Sequence, residues 1–225
     1  MSTKTPIVTT DPRVHSQQLQ VWDSAATGHG PYLVRATLAG GLRVAVRPLR
    51  TSDRGQLAAG MGHLSEHSRH QRFLGAKPSL NARELDLLVD GVDQHRHVAV
   101  ALVWPRTSCS DIVLGVAHAF RLSERPDTAD VSVTVVDELQ GQGAGRLLMS
   151  ALADASVDRG IKRFTALLLP SNAACARLIT GLGTVDNDGT SQGVRDLTVV
   201  LSSCGGARDG GPAAQQTLDP STSTA

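Results

Sequence analysis

Residues 131–152 read VSVTVVDELQGQGAGRLLMSAL, and this passage decides the fold. The run VSVTVV is rich in β-branched side chains and predicts a strand ending at Val136. A short acidic turn, Asp137-Glu138, follows. Gln140 to Arg146 then lead straight into a segment where Leu147, Leu148, Ala151, Leu152 and Ala155 recur at helical spacing. Such a passage gathers free backbone N–H groups at a helix N-terminus and points them at one spot. Glycines at Gly141, Gly143 and Gly145 remove side chains that would keep an anion away. Arg146 can add a charge-assisted contact. A diphosphate is the natural guest.

Outward from this loop, strand and helix signals alternate. Leu33 to Leu38 and Leu42 to Leu49 predict two strands joined at Gly40-Gly41. Thr51, Ser52 or Asp53 can cap a helix reaching about Leu64. The polar stretch SEHSRHQRFLG, 65–75, separates it from ARELDLLVDGV, where Leu85, Leu88 and Val89 share one helical face. His97 to Trp104, Ile112 to Leu122 and Ala129 to Val136 predict three strands, the first two joined by a turn at Ser108 to Ser110. Period two places Ile112, Leu114, Val116, His118 and Phe120 on one face of the second. Downstream, Gly160 stops the long helix. Phe164 to Leu169 is a strand, Asn172 to Leu182 a helix and Leu197 to Leu201 a last strand. The order β-β-α-α-β-β-β-α-β-α-β predicts an α/β (α+β) fold, a mixed, mostly antiparallel sheet flanked by helices.

Composition narrows the function. The 22 Lys and Arg residues nearly balance the 21 Asp and Glu, and aromatics make up only 3% of the 225 residues. No global field recruits nucleic acid or an anionic membrane, and few rings are available for base stacking. Cys109, Cys175 and Cys204 form neither a disulfide framework nor a metal knuckle. The histidines His63, His67, His70, His95 and His97 lack metal-ligand spacing and read as a polar loop, so no metal is expected. No apolar run approaches a membrane span. The opening MSTKTPIVTTDPRVHSQQLQ lacks the apolar core of a secretory signal, and a cytoplasmic location is expected. Residues 1–30 and 203–225 are polar or rich in small residues and are expected to be disordered around one domain, 31–202.

The loop discriminates among diphosphate binders. A dinucleotide fingerprint, G-x-G-x-x-G, fails because the sixth position from Gly141 is Arg146. A P-loop fails for want of Gly-Lys-Ser/Thr. The match is to Q/R-x-x-G-x-G/A, through Gln140, Gly143 and Gly145. In this loop, and in the element order over roughly 33 to 201, the chain resembles the GNAT acetyltransferase superfamily. Leu64-Ser65, Ser68 and Arg72-Phe73, with ADVSVTVVDELQGQG, look most like the GNAT domain of bacterial protein-lysine acetyltransferases.

That resemblance implies an acetyl-CoA-dependent N-acetyltransferase acting on a primary amine, either a protein lysine or a small molecule. Gly141, Gln142, Gly143, Ala144, Gly145 and Arg146 would hold the pyrophosphate. Val133, Thr134 and Val135 would offer backbone groups to the pantetheine, with Leu167 to Leu169 as the other wall and Asn172 nearby. Asn172 reads equally as a helix N-cap. Asp130 stands where the family places a glutamate base, one methylene shorter. The family's general-acid tyrosine is replaced by Ile179, leaving the thiolate unassisted or protonated by solvent or Ser171. Glu66, Arg69 and Arg72 border the acceptor side or form a salt-bridged surface. A second reading is a module that binds acyl-CoA without turnover, and a homodimer is left open.

Overall fold

The computed structural model describes residues 33–106 and 110–202. The expectations for the two chain ends, for Cys109 and Cys204, and for most of the Ser108 to Ser110 turn lie outside these residues. The elements are β1 (Val34–Thr37), β2 (Arg43–Pro48), α1 (Arg54–Gly60) between two 3-10 turns, α2 (Glu66–Phe73), and α3 (Ala82–Leu85). They continue with β3 (His97–Trp104), β4 (Ile112–Arg121), β5 (Thr128–Val135), α4 (Ala144–Val157), β6 (Arg163–Leu168), α5 (Ala173–Thr180), β7 (Gly183–Ser191) and β8 (Val194–Leu201). One sheet of eight strands runs β1-β2-β3-β4-β5-β6-β8-β7. Every neighbouring pair is antiparallel except β5 and β6.

Two apolar layers hold this sheet. On one face, Val98, Val100, Leu102, Ala117, Val131 and Phe164 pack against Leu148, Met149 and Leu152 of α4 and Ile179 of α5. On the other, Ala99, Ala101 and Val103 meet Leu57 of α1, Leu85 of α3 and Val89. Leu85, Leu88 and Val89 therefore share a face as expected, although residues 86–90 wind as a π-helical turn.

Two elements depart from the expected order. The polar stretch after Leu64 is a helix, α2, which buries none of its residues. It forms because Ser65 caps it, accepting from the Ser68 amide at 3.1 Å. The polar TVDNDGTS run forms β7, an edge strand exposed along nearly its whole length and paired only with β8.

A third departure concerns β4. Its register against β3 shifts between Leu102 and Val103, so that Gly115 faces Leu102 while Val113 faces Val103. Leu114 is the extra residue of a β-bulge. Strict alternation fails there: Leu114 packs with the α4 layer, while Val113 and Val116 pack with the α1 layer. Just past the bulge, a Cβ on Gly115 would lie 2.8 Å from the Thr134 carbonyl oxygen and 3.2 Å from Val135 Cα. The backbone of β5 could not stay in place. Gly115→Ala should cost about 1–3 kcal/mol of stability, read as a lowered urea midpoint.

Candidate active site

The site grows from the way β5 leaves β6. The two strands pair in parallel only through Thr128↔Arg163, Ala129↔Phe164 and Asp130↔Thr165. Beyond Asp130, β5 keeps its partner β4 as far as Val135, while β6 turns to β8. The sheet is open between them. The Val136 amide bonds the Leu114 carbonyl at 3.0 Å, on the β4 side. Alternation along an antiparallel pair then points the backbone groups of Val131, Val133 and Val135 into the opening, and those of Thr134 toward β4. The side chains alternate too: Asp130, Ser132 and Thr134 face the side that α2 crosses.

At the upper end of the opening lies the glycine loop. Gly143 is the N-cap of α4 with φ of 93°, and Gly141 has φ of 73°. Both conformations favour glycine, and a Cβ at either would meet nothing within 4 Å. Space for an anion therefore lies directly over the first N–H groups of α4, which have no intrahelical acceptor. No acidic residue occupies the first turn of α4. Arg146 is exposed there, with no ion-pair or hydrogen-bond partner among the described residues. Gly145 is small for another reason: its Cβ would crowd Leu178 Cδ1 at 2.9 Å, where α4 meets α5. Gln142 fastens the loop, donating from Nε2 to the Glu138 carbonyl at 2.7 Å and accepting the Ala39 amide on its own carbonyl at 3.2 Å.

A polar clamp joins this loop to α2. Asp137 accepts the Ser65 amide at 2.8 Å, the Ser68 hydroxyl at 2.7 Å and Gln140 Nε2 at 2.8 Å. Burial pushes the Asp137 carboxyl up, but the bonds from Ser65 and Ser68 outweigh it and leave the carboxyl below its ordinary value. At the far end of α2, Arg72 Nη2 donates to Ser132 Oγ at 2.9 Å. Burial lowers the Arg72 guanidinium from its ordinary value, while Asp130 and Cys175 oppose that shift. Arg72 thus lies in the cleft; Glu66 is exposed, and Arg69 turns to the Met61 and Leu64 carbonyls. Period two places Ser132 on the face of Asp130, but the clamp and the Arg72–Ser132 bond carry no sequence signal beyond the Ser-x-x-Ser capping pattern.

Asp130 is exposed where the β5–β6 pairing ends. Its carboxyl is raised above the ordinary value, chiefly by loss of water around it; Arg72 opposes the shift and Asp196 adds to it. Thr165 and Thr198 continue the row across β6 and β8, their hydroxyls 3.1 Å apart. Asn172 caps α5, its Oδ1 accepting the Cys175 amide at 3.1 Å. Ile179 is 1% exposed, a core residue with no acid to offer.

The histidines divide. His63, His67, His70 and His95 are exposed, two of them on α2 rather than in a loop. His97 is buried instead, its Nε2 3.0 Å from Nδ1 of the buried His118. Burial lowers both rings, His97 to about 4, so the pair is neutral at pH 7 and suits a core. Among the described residues, no group of three or more His, Cys, Asp or Glu side chains is arranged to hold a metal. No helix among them is long and apolar enough to cross a membrane.

A strand splayed from its parallel neighbour below a glycine-capped helix is the arrangement to compare with known proteins. Residues 66–183 match the family model described as Acetyltransferase (GNAT) family. The chain belongs to the GNAT acetyltransferase family. An acetyltransferase of Pseudomonas aeruginosa is 30% identical over 162 residues, covering 71% of this GNAT chain and 86% of its own length. The acetyltransferase Pat of Mycolicibacterium smegmatis is 30% identical over 142 residues, 62% of this chain but only 40% of that protein. The GNAT domain of S. lividans PAT shares the fold with a TM-score of 0.65 and 24% identity, over 74% of this chain and 96% of that one. The yncA protein of Salmonella typhimurium, solved with acetyl-CoA, superposes with a TM-score of 0.55 and 20% identity, covering 72% of this chain and 96% of that one. Acetyl-CoA-dependent acetyl transfer is the activity of this family, and the eight-stranded sheet here is its fold.

Proposed function

We propose that this GNAT chain acetylates a primary amine, on a protein lysine or a small molecule, by direct attack on acetyl-CoA held between β5 and β6. The observation that carries this reading is the end of β5–β6 pairing at Asp130↔Thr165, directly below the open glycine loop. From Asp130 to Val135 the strand extends about 17 Å at about 3.3 Å per residue, a reach suited to an extended pantetheine arm. The N–H groups of Gly141 through Arg146 would take the pyrophosphate. Backbone groups of Val133 and Val135 would pair with the arm, and an amide on that edge would polarise the thioester carbonyl. Thr134, turned to β4, would contribute through its side chain. Asn172, the N-cap of α5, would lie near the pantetheine as the family resemblance implies.

Asp130 takes the role of base. The acceptor must be neutral to attack, and a carboxylate at the mouth accepts its proton directly or through one water. A base acts only when deprotonated, and burial has raised this carboxyl. Turnover should therefore climb as pH rises through a value above the ordinary aspartate pKa of about 3.9. Asp130→Asn should lower kcat/KM by about 10²- to 10⁴-fold while leaving acetyl-CoA affinity unchanged by calorimetry. Full activity of this variant across pH would remove Asp130 from the mechanism. A thiol-release assay over small amines and lysine peptides identifies the acceptor; tight acetyl-CoA binding with no release on any acceptor would favour a binding module.

A further inference from the structure

Resting on that reading, one step remains for which the sequence offers only solvent or Ser171, exposed in the turn before α5. When the amine nitrogen bonds to the thioester carbon, the carbon–sulfur bond must break and leave its electron pair on sulfur. Ile179 is buried and apolar. The thiol of Cys175, on α5, is pushed up by burial to about 11 and gives up no proton readily.

What the cleft does hold is a guanidinium. Arg72 comes from the last turn of α2 and reaches Ser132 on the splayed part of β5. Its other charge neighbours are Asp130, on β5, and Cys175, on the first turn of α5. One neighbour belongs to the β5 side of the opening, the other to the helix that follows β6. The guanidinium therefore lies over the face of β5 that carries Asp130 and Ser132. Ser132 Oγ is its one hydrogen-bond acceptor among the described residues, so most of its five N–H groups are uncommitted. The α2 clamp at Asp137 sets the helix, and with it Arg72, relative to the glycine loop.

We propose that Arg72 stabilises the departing CoA thiolate, doing electrostatically what a general acid would do by proton transfer. The electrons balance as follows. The amine proton goes to Asp130, the C–S pair goes to sulfur, and the thiolate later takes a proton from water. The charges balance as well. Before reaction, the Asp130 carboxylate partly neutralises Arg72. Once Asp130 is protonated, the guanidinium faces the new sulfur anion alone.

The test reads the thiolate itself. CoA bound to the full chain is titrated with pH by its thiolate absorbance in the ultraviolet, against desulfo-CoA as the blank. The expected result is ionisation at least tenfold more favourable than for free CoA. R72Q should abolish that shift while keeping CoA affinity within about threefold at low pH, and R72K should retain part of it. R72Q should also lower kcat by about 10²-fold or more with little change in acceptor KM, the scale of losing one transition-state donor. A bound thiol that titrates like free CoA, or a shift that survives R72Q, overturns the proposal. If R72Q fails to bind CoA, R72K decides: a retained shift upholds the role, and titration like free CoA overturns it. Wild-type protein that binds no CoA overturns the underlying reading, which calorimetry shows separately.

Discussion

Gly143→Asp should abolish acetyl-CoA binding while the protein stays folded. Gly143 caps α4 in a left-handed conformation, and the space where a Cβ would stand is empty. The substitution therefore forces no clash, and aspartate is among the residues that tolerate positive φ best. Its carboxylate would occupy the spot over the α4 amides where the diphosphate must sit. A like charge about 4 Å away, at an effective dielectric of about 20, costs about 4 kcal/mol. That is about a thousandfold in Kd. Calorimetric titration reads the loss, and a thermal melt separates it from unfolding. Unchanged affinity would show that the glycine loop serves only to start a helix.

Arg47→Met should cost about 3–5 kcal/mol of stability, the largest such effect expected outside the site. Arg47 is 2% exposed and lies between two carboxylates as buried as itself. Its Nη1 and Nη2 donate to the two oxygens of Asp53 at 2.8 and 2.9 Å, and its Nε donates to Asp111 at 2.9 Å. Burial pulls the guanidinium down, but the two carboxylates together hold it above its ordinary value. Removing the cation strands two acids in the interior. Arg195→Met is the control, because its two-pronged bond to Asp188, through Nε and Nη2, sits on the exposed final hairpin. There the loss should be far smaller, because solvent screens the pair. Chemical denaturation of both variants compares them directly. Equal losses would mean that burial adds nothing to this network.

The central sheet was legible because its strands carry β-branched runs, and α4 because its apolar residues recur at 3.6. The elements that escaped notice share a physical cause. Nothing on α2 is buried and almost nothing on β7 is, so neither carries a hydrophobic period. They exist through a serine cap and through pairing with β8. The bulge at Leu114 was hidden for the opposite reason, since every neighbour there is apolar and any register looks plausible. In the site, glycine spacing marks the loop whose left-handed turns at Gly141 and Gly143 open onto the start of α4. Arg72 was ambiguous because a cleft-lining arginine and a solvated one have the same letter. Only the approach of α2 to Ser132 tells them apart.

Because α2 is fastened by polar ties and by no core, the free energy of local unfolding is uneven across this molecule. Each tie contributes about 0.5–1.5 kcal/mol net, far less than the packed sheet beneath. The helix can detach without disturbing the sheet, which retains its own packing on both faces. Amide exchange at residues 66–73 should report this subglobal opening, well below the global unfolding limit. The same piece of chain joins the glycine loop to Ser132, so whatever orders the loop also lowers the population of the open form.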